Sequence, residues 1–82
     1  MTEKDLLSLN FEKAEWYDDD LQEKIYYYTY YFNDNLSLIT DFNYEIDSEN
    51  EWAVEFFDAP EYSIQDAEEL KQLINLIEKN KK

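Results

Sequence analysis

Every residue from Ile25 to Phe32 is β-branched or aromatic. Such a run suits a pleated surface and would crowd a helix, so it predicts a strand. Its alternate faces are Ile25, Tyr27, Thr29, Tyr31 and Tyr26, Tyr28, Tyr30, Phe32. Both are aromatic. Phe11 to Tyr17 reads as an earlier strand, with Ala14 and Trp16 on one side and Lys13 and Glu15 on the other. Leu36 to Phe42 sets Leu36, Leu38, Thr40 and Phe42 against Ser37, Ile39 and Asp41, and Trp52 to Phe57 sets Trp52, Val54 and Phe56 against Ala53, Glu55 and Phe57. The connections consist of turn formers. Asp18-Asp19-Asp20 is too polar to pack, Asn33-Asp34-Asn35 is a three-residue hairpin loop, and Glu45 to Glu51 is a second acidic loop. Asp58-Ala59-Pro60 breaks the alternation.

The period changes at both ends of the chain. Thr2 with Asp5 three residues on has the form of a capping box, followed by Leu6, Leu7 and Leu9, and Asn10 is a residue that tolerates the left-handed conformation that stops helices. Ser63 and Asp66 repeat the capping spacing before an apolar stripe of Ile64, Ala67, Leu70, Leu73, Ile74 and Ile77. Glu68 and Glu69 in the first turn and Lys79, Lys81 and Lys82 at the end suit the helix dipole. The expectation is an α+β fold: a four-stranded antiparallel β-meander, a C-terminal helix packed on one face, and a short N-terminal helix at the edge. Residues 1–82 read as a single domain, with no glycine and hence no glycine hinge or flexible tether.

Charge narrows the choice of function. The 82 residues carry 21 acidic and 7 basic side chains, a net −14. Between Glu12 and Glu69 the only basic residues are Lys13 and Lys24. Such a chain repels nucleic acid and anionic membranes and attracts basic protein surfaces. With 44% hydrophobic and 18% aromatic residues it has the means to fold despite that charge. No apolar run approaches the ~18 residues of a membrane span, there is no cysteine, and the acidic N-terminus is unlike a signal peptide, so a cytoplasmic place, in a bacterial or phage-infected host cell, is expected.

The missing residue types weigh against catalysis. Without His, Cys or Arg the chain lacks the commonest general base, the commonest reactive nucleophile and the bidentate anion clamp. Asp47, Glu49 and Glu51 alternate in the manner of oxygen ligands for a hard cation, but the sixth place of a calcium loop starting at Asp47 is Trp52, where that loop needs Gly. No catalytic residue, metal or cofactor is assigned. An aromatic strand could stack bases, but single-strand binders set their aromatics in a positive groove.

What remains is a surface of carboxylates and tyrosines. Carboxylates on alternate residues of a strand stand ~6.6 Å apart, and several rows on a sheet begin to approach the charge density of DNA, one charge per ~1.7 Å of axis. Tyrosine adds large contact area at low entropic cost. The expected binding residues are Asp18, Asp19, Asp20, Glu45, Asp47, Glu49 and Glu51 for charge, with Tyr26, Tyr28 and Tyr30 as anchors. In size, charge and sheet-plus-helix plan the chain resembles the small acidic proteins of phages and mobile elements: anti-CRISPR and anti-restriction DNA mimics and uracil-glycosylase inhibitors. The segment Trp52-Ala-Val-Glu-Phe-Phe followed by the Leu-rich terminal helix is also similar to uncharacterised bacterial and phage proteins. The resemblance implies a non-enzymatic inhibitor that occupies the basic surface of a nucleic-acid-binding protein, such as a host-defence nuclease. The alternative is an acidic adaptor or structural subunit that self-associates, as a homodimer, or binds a partner through its tyrosine-rich sheet face.

Overall fold

A computed structural model describes residues 1–81; Lys82, expected at the end of the last helix, lies outside the described residues. The elements run α1 (Glu3–Ser8), β1 (Glu12–Asp18), β2 (Glu23–Asn33), β3 (Leu36–Thr40), a 3-10 turn (Asn43–Glu45), β4 (Val54–Phe56), β5 (Ala59–Ile64) and α2 (Ala67–Lys79). The fold is α+β with an antiparallel sheet, a short N-terminal helix and a C-terminal helix. The sheet has five strands, in the order β1-β2-β3-β4-β5, where four were expected.

The extra strand is β5. Its Ala59-Pro60 start reads as a break because Pro has no N–H for a ladder. At the edge of a sheet one side of the strand has no partner, and Pro is tolerated there. Phe57 and Asp58 make the tight turn, with Phe56 opposite Ala59 and Glu55 opposite Ser63. Because β5 takes in Ser63, the cap of α2 falls later than Ser63, at Asp66, whose carboxylate accepts the Glu68 N–H.

The start of the chain follows its local signals. Thr2 and Asp5 exchange both capping-box hydrogen bonds, Thr2 N–H to Asp5 at 2.9 Å and Asp5 N–H to Thr2 at 3.2 Å. Asn10 is left-handed (φ 69°), so the Asn10 N–H reaches the Leu7 carbonyl and the Phe11 N–H the Leu6 carbonyl. That pairing is a Schellman stop with Asn in place of Gly. It folds Phe11 back onto Leu6, and both are buried.

The core lies on one side of the sheet. Leu6 and Phe11 from the N-terminal segment, Leu70 and Ile74 from α2, and Tyr28, Phe32, Leu38, Trp52 and Val54 beneath them form one buried cluster. Both helices therefore cover the same face, and α1 lies over it, not at the sheet edge as expected. The total accessible surface is 5983 Å², above the ~5,300 Å² expected for a globular chain of this length. The molecule measures 43 × 26 × 24 Å, and among the described residues no helix covers its second sheet face.

Candidate protein-interaction surface

β2 carries the division between the two faces. Tyr26, Tyr28, Tyr30 and Phe32 point under the helices. Tyr28 is 2% exposed, its hydroxyl donates to Glu3 Oε1 at 2.8 Å, and its ring meets the Trp52 ring edge-on at 5.3 Å. Tyr30 donates to Glu78 Oε1 at 3.2 Å, and Tyr26 stacks on Trp52 at 6.0 Å. Burial, reinforced by the Glu3 carboxylate at Tyr26 and Tyr28 and by Glu78 at Tyr30, raises all three phenols above the ordinary tyrosine value. The three tyrosines expected as partner anchors thus line the covered face, and Tyr28 is a core residue with its hydroxyl satisfied.

The odd-numbered residues of β2 lie on the uncovered face. Ile25 and Thr29 are buried within the sheet surface, Tyr27 is half-buried and Tyr31 is 64% exposed. Trp16 of β1, opposite Ile25, packs edge-on to Tyr27 at 6.1 Å and to Phe42 at 5.6 Å. Phe42 in turn meets Tyr27 at 5.7 Å and stacks on Tyr44 at 5.6 Å with the rings 9° from parallel. Trp16, Tyr44, Tyr31 and Phe57 are all exposed. Together they make the uncovered face an open aromatic surface; Tyr17 and Tyr62, exposed as well, lie outside it.

Two side chains place Phe42 and Tyr44 there. β3 was expected to continue to Phe42, but it leaves the ladder after Thr40, and side-chain atoms replace its backbone beside β2. The Thr40 hydroxyl accepts the Tyr28 N–H at 3.0 Å. The Asn43 side chain accepts the Tyr26 N–H at 2.9 Å and donates to the Lys24 carbonyl at 3.3 Å. Asn43 thus satisfies both backbone groups that a strand residue would have paired. Freed from the strand, the chain turns across the sheet and lays Phe42 against Trp16 and Tyr27, with Tyr44 stacked on Phe42.

The acidic residues gather at the same end. In an antiparallel meander the β1–β2 turn and the β3–β4 connection fall on one side, and Asn43 ties the second to the start of β2. Asp18 closes its turn by accepting the Asp20 and Leu21 N–H groups at 2.9 and 3.0 Å, which leaves Asp19 and Asp20 exposed. Glu45, Asp47, Glu49 and Glu51 are exposed as well. The Met1 amino group donates to the carbonyls of Asn50, Trp52 and Gln65 at 3.0–3.1 Å, which holds the loop beside the start of α2, where Asp66, Glu68 and Glu69 stand. At the opposite end Lys81 lies beside Phe32 and Asn33 at the close of β2. The structure therefore brings the seven predicted acidic residues to one end of the sheet, while the predicted tyrosines line its covered face.

Two further carboxylates on the uncovered face, Asp41 and Glu55, were not among the expected binding residues; with Glu45, which was, they form one acidic group. Burial, then repulsion by Asp41 and Glu45, raises the Glu55 carboxyl above the ordinary glutamate value. Among the described residues no group of three or more carboxylates is arranged to hold a metal ion. The one ion pair among them, Lys13 with Glu15 at 3.8 Å, belongs to the covered side, where Lys13 also sits 4.1 Å over the Tyr26 ring.

The expectations missed the open aromatics because both faces of β2 look alike in composition. The distinguishing signal is in the partner strands. The expected three-residue loop Asn33–Asn35 is a two-residue turn at Asp34–Asn35, with Asn33 opposite Leu36 after a bulge, and the pairs that loop implies, Tyr30 with Leu38 and Tyr31 with Ser37, are observed. Ser37 and Glu55 mark the odd-numbered face as the one facing water.

Comparison with known proteins gives no match: no family model, curated protein or solved structure is similar to this chain. The fold and surface are the whole basis for a functional reading.

Proposed function

We propose that this chain is a non-enzymatic inhibitor that occupies a basic, nucleic-acid-binding protein surface by imitating a polyanion. The observation that carries the reading is the lack of internal neutralisation. Against 21 acidic side chains, the described residues contain a single ion pair, and it lies on the covered side of the sheet. Unpaired carboxylates concentrated at one end create a directed negative field, which speeds encounter with a positive surface and resists neutral ones. Asp19, Asp20, Glu45, Asp47, Glu49 and Glu51 supply the charge.

The test is capture of bacterial nucleic-acid-binding proteins on the immobilised protein at ~50 mM and ~500 mM salt, a range that takes the screening length from about 14 Å to about 4 Å. Retention of one such protein above the general basic background at low salt, released by salt and by competing duplex DNA, is the expected result. Retention of generic basic proteins alone, unaffected by DNA, overturns it. The exposed aromatics favour a second reading, an adaptor that self-associates or binds a partner through its sheet; sedimentation equilibrium showing a dimer at both salts would support that one instead.

A further inference from the structure

We infer that the uncovered sheet face docks an arginine-bearing extended segment of a protein partner, with the guanidinium stacked on the Trp16–Phe42–Tyr44 rings and bonded to the carboxylates of Asp41, Glu45 and Glu55. The inference rests on the polyanion reading for the sign of the partner's charge, and it adds a specific site and a specific side chain.

Charge complementarity selects the occupant. The platform is apolar at its centre and acidic at its margin, and no lysine of the described residues pairs with that margin. Glu55 is partly withdrawn from water beside Asp41 and Glu45, so its charged form lacks the compensation that an arriving cation supplies. The three carboxylates are not arranged for a metal ion. A guanidinium is broader, planar and weakly hydrated: it lies flat on an aromatic ring while its edge donors reach carboxylates around it. Tyr44 is stacked on Phe42 on one side and is 54% exposed overall, which leaves its other side available for that contact. A second copy of the chain is the wrong occupant, because it would set a net charge of −14 against an equal charge. Nucleic acid is disfavoured by the same repulsion.

The partner segment is extended because the surface is a sheet. Next to the ring cluster, and sharing Tyr27 with it, lies a shallow cavity of about 210 Å³ whose walls include Tyr31, Ile39 and Phe57. It takes an apolar side chain of the same segment, so the partner presents a basic residue and an apolar one on the same face of a strand.

The two tryptophans provide an internal control, since Trp16 is 43% exposed on the open face and Trp52 is 3% exposed on the covered one. The probe is a short peptide alternating Arg and Ser, with Lys and citrulline counterparts, titrated into the isotope-labelled protein and followed by NMR. The Arg peptide is expected to shift the Trp16 indole and the Phe42–Glu45 amides and to leave the Trp52 indole in place. Binding is expected to weaken at least about threefold with Lys and further with citrulline, and by roughly three- to fivefold in Trp16→Ala and in Glu55→Gln. Tyr44→Ala, at an exposed position, gives the same readout if Trp16→Ala fails to fold. Shifts confined to the acidic loops, with Trp16 unmoved, overturn the docking site and leave the polyanion reading standing. Equal binding of all three peptides, or broadening of Trp16 with protein concentration alone, also overturns it. Arg-selective binding at Trp16 together with a failed DNA competition upholds the docking site and removes the polyanion reading.

Discussion

The two faces of β2 are built from nearly the same side chains and do different work. Tyr28 and Tyr31 are three residues apart, one 2% and the other 64% exposed. The difference comes from their cross-strand neighbours. Under the helices, Tyr30 faces Leu38 and the next strand adds Val54 and Phe56; on the other side Tyr31 faces Ser37, and Ile39 faces Glu55. A tyrosine-rich strand therefore leaves open which of its faces is buried, and the partners in register decide it. On the covered face each tyrosine of β2 is fixed by a named acceptor or ring, whereas the open face keeps Trp16, Tyr44, Tyr31 and Phe57 in contact with water.

The contrast is sharpest at two adjacent residues. Leu38, fully buried under α2, is expected to cost about 3 kcal/mol on substitution by Ala, and Ile39, half-buried on the open face, about 1 kcal/mol, in urea unfolding. Similar losses at the two sites would contradict the division. Asn43→Ala removes the side chain that stands in for a strand and leaves the Tyr26 N–H and Lys24 carbonyl without it. It should cost roughly 1–2 kcal/mol and move the Trp16 indole resonance as Phe42 and Tyr44 lose their support. Tyr28→Phe should cost about 1 kcal/mol through loss of the Glu3 hydrogen bond, and Tyr31→Phe close to nothing.

Protonation distinguishes the faces by smaller effects. Because the folded state holds the phenols of Tyr26, Tyr28 and Tyr30 above their unfolded value, it keeps their protons as the unfolded chain loses them. Their contribution is complete below pH ~10 and is lost as pH rises beyond it, and alkaline unfolding curves should show that decline. Glu55 is also raised, so its contribution is likewise full below the ordinary glutamate value and lost as pH rises through the folded one. Glu55→Gln should therefore raise the melting temperature slightly at neutral pH, with the gain vanishing in acid.

Much of this plan is legible in the sequence. The Thr2–Asp5 box, the left-handed Asn10, the strand through Ile25–Phe32 and the Leu70–Ile74 stripe are local signals, and tertiary packing reinforces each of them. What could not be read locally depends on position in the sheet. Pro60 signals a break unless the strand is known to be an edge, and Thr40 and Asn43 look like ordinary turn residues until β2 lies beside them. The acidic end was readable because a meander with turns of known length places alternate connections together. The open aromatic platform was not, because Phe42 and Tyr44 reach it only through Asn43.

The division between a structural face and a free, negatively charged face is tested most directly by quenching the two tryptophans separately. In Trp52→Phe, which leaves Trp16, the cation caesium should quench the fluorescence strongly and the anion iodide much less; in Trp16→Phe, which leaves Trp52, neither should. Equal quenching of the two tryptophans, or iodide outperforming caesium at Trp16, would contradict it.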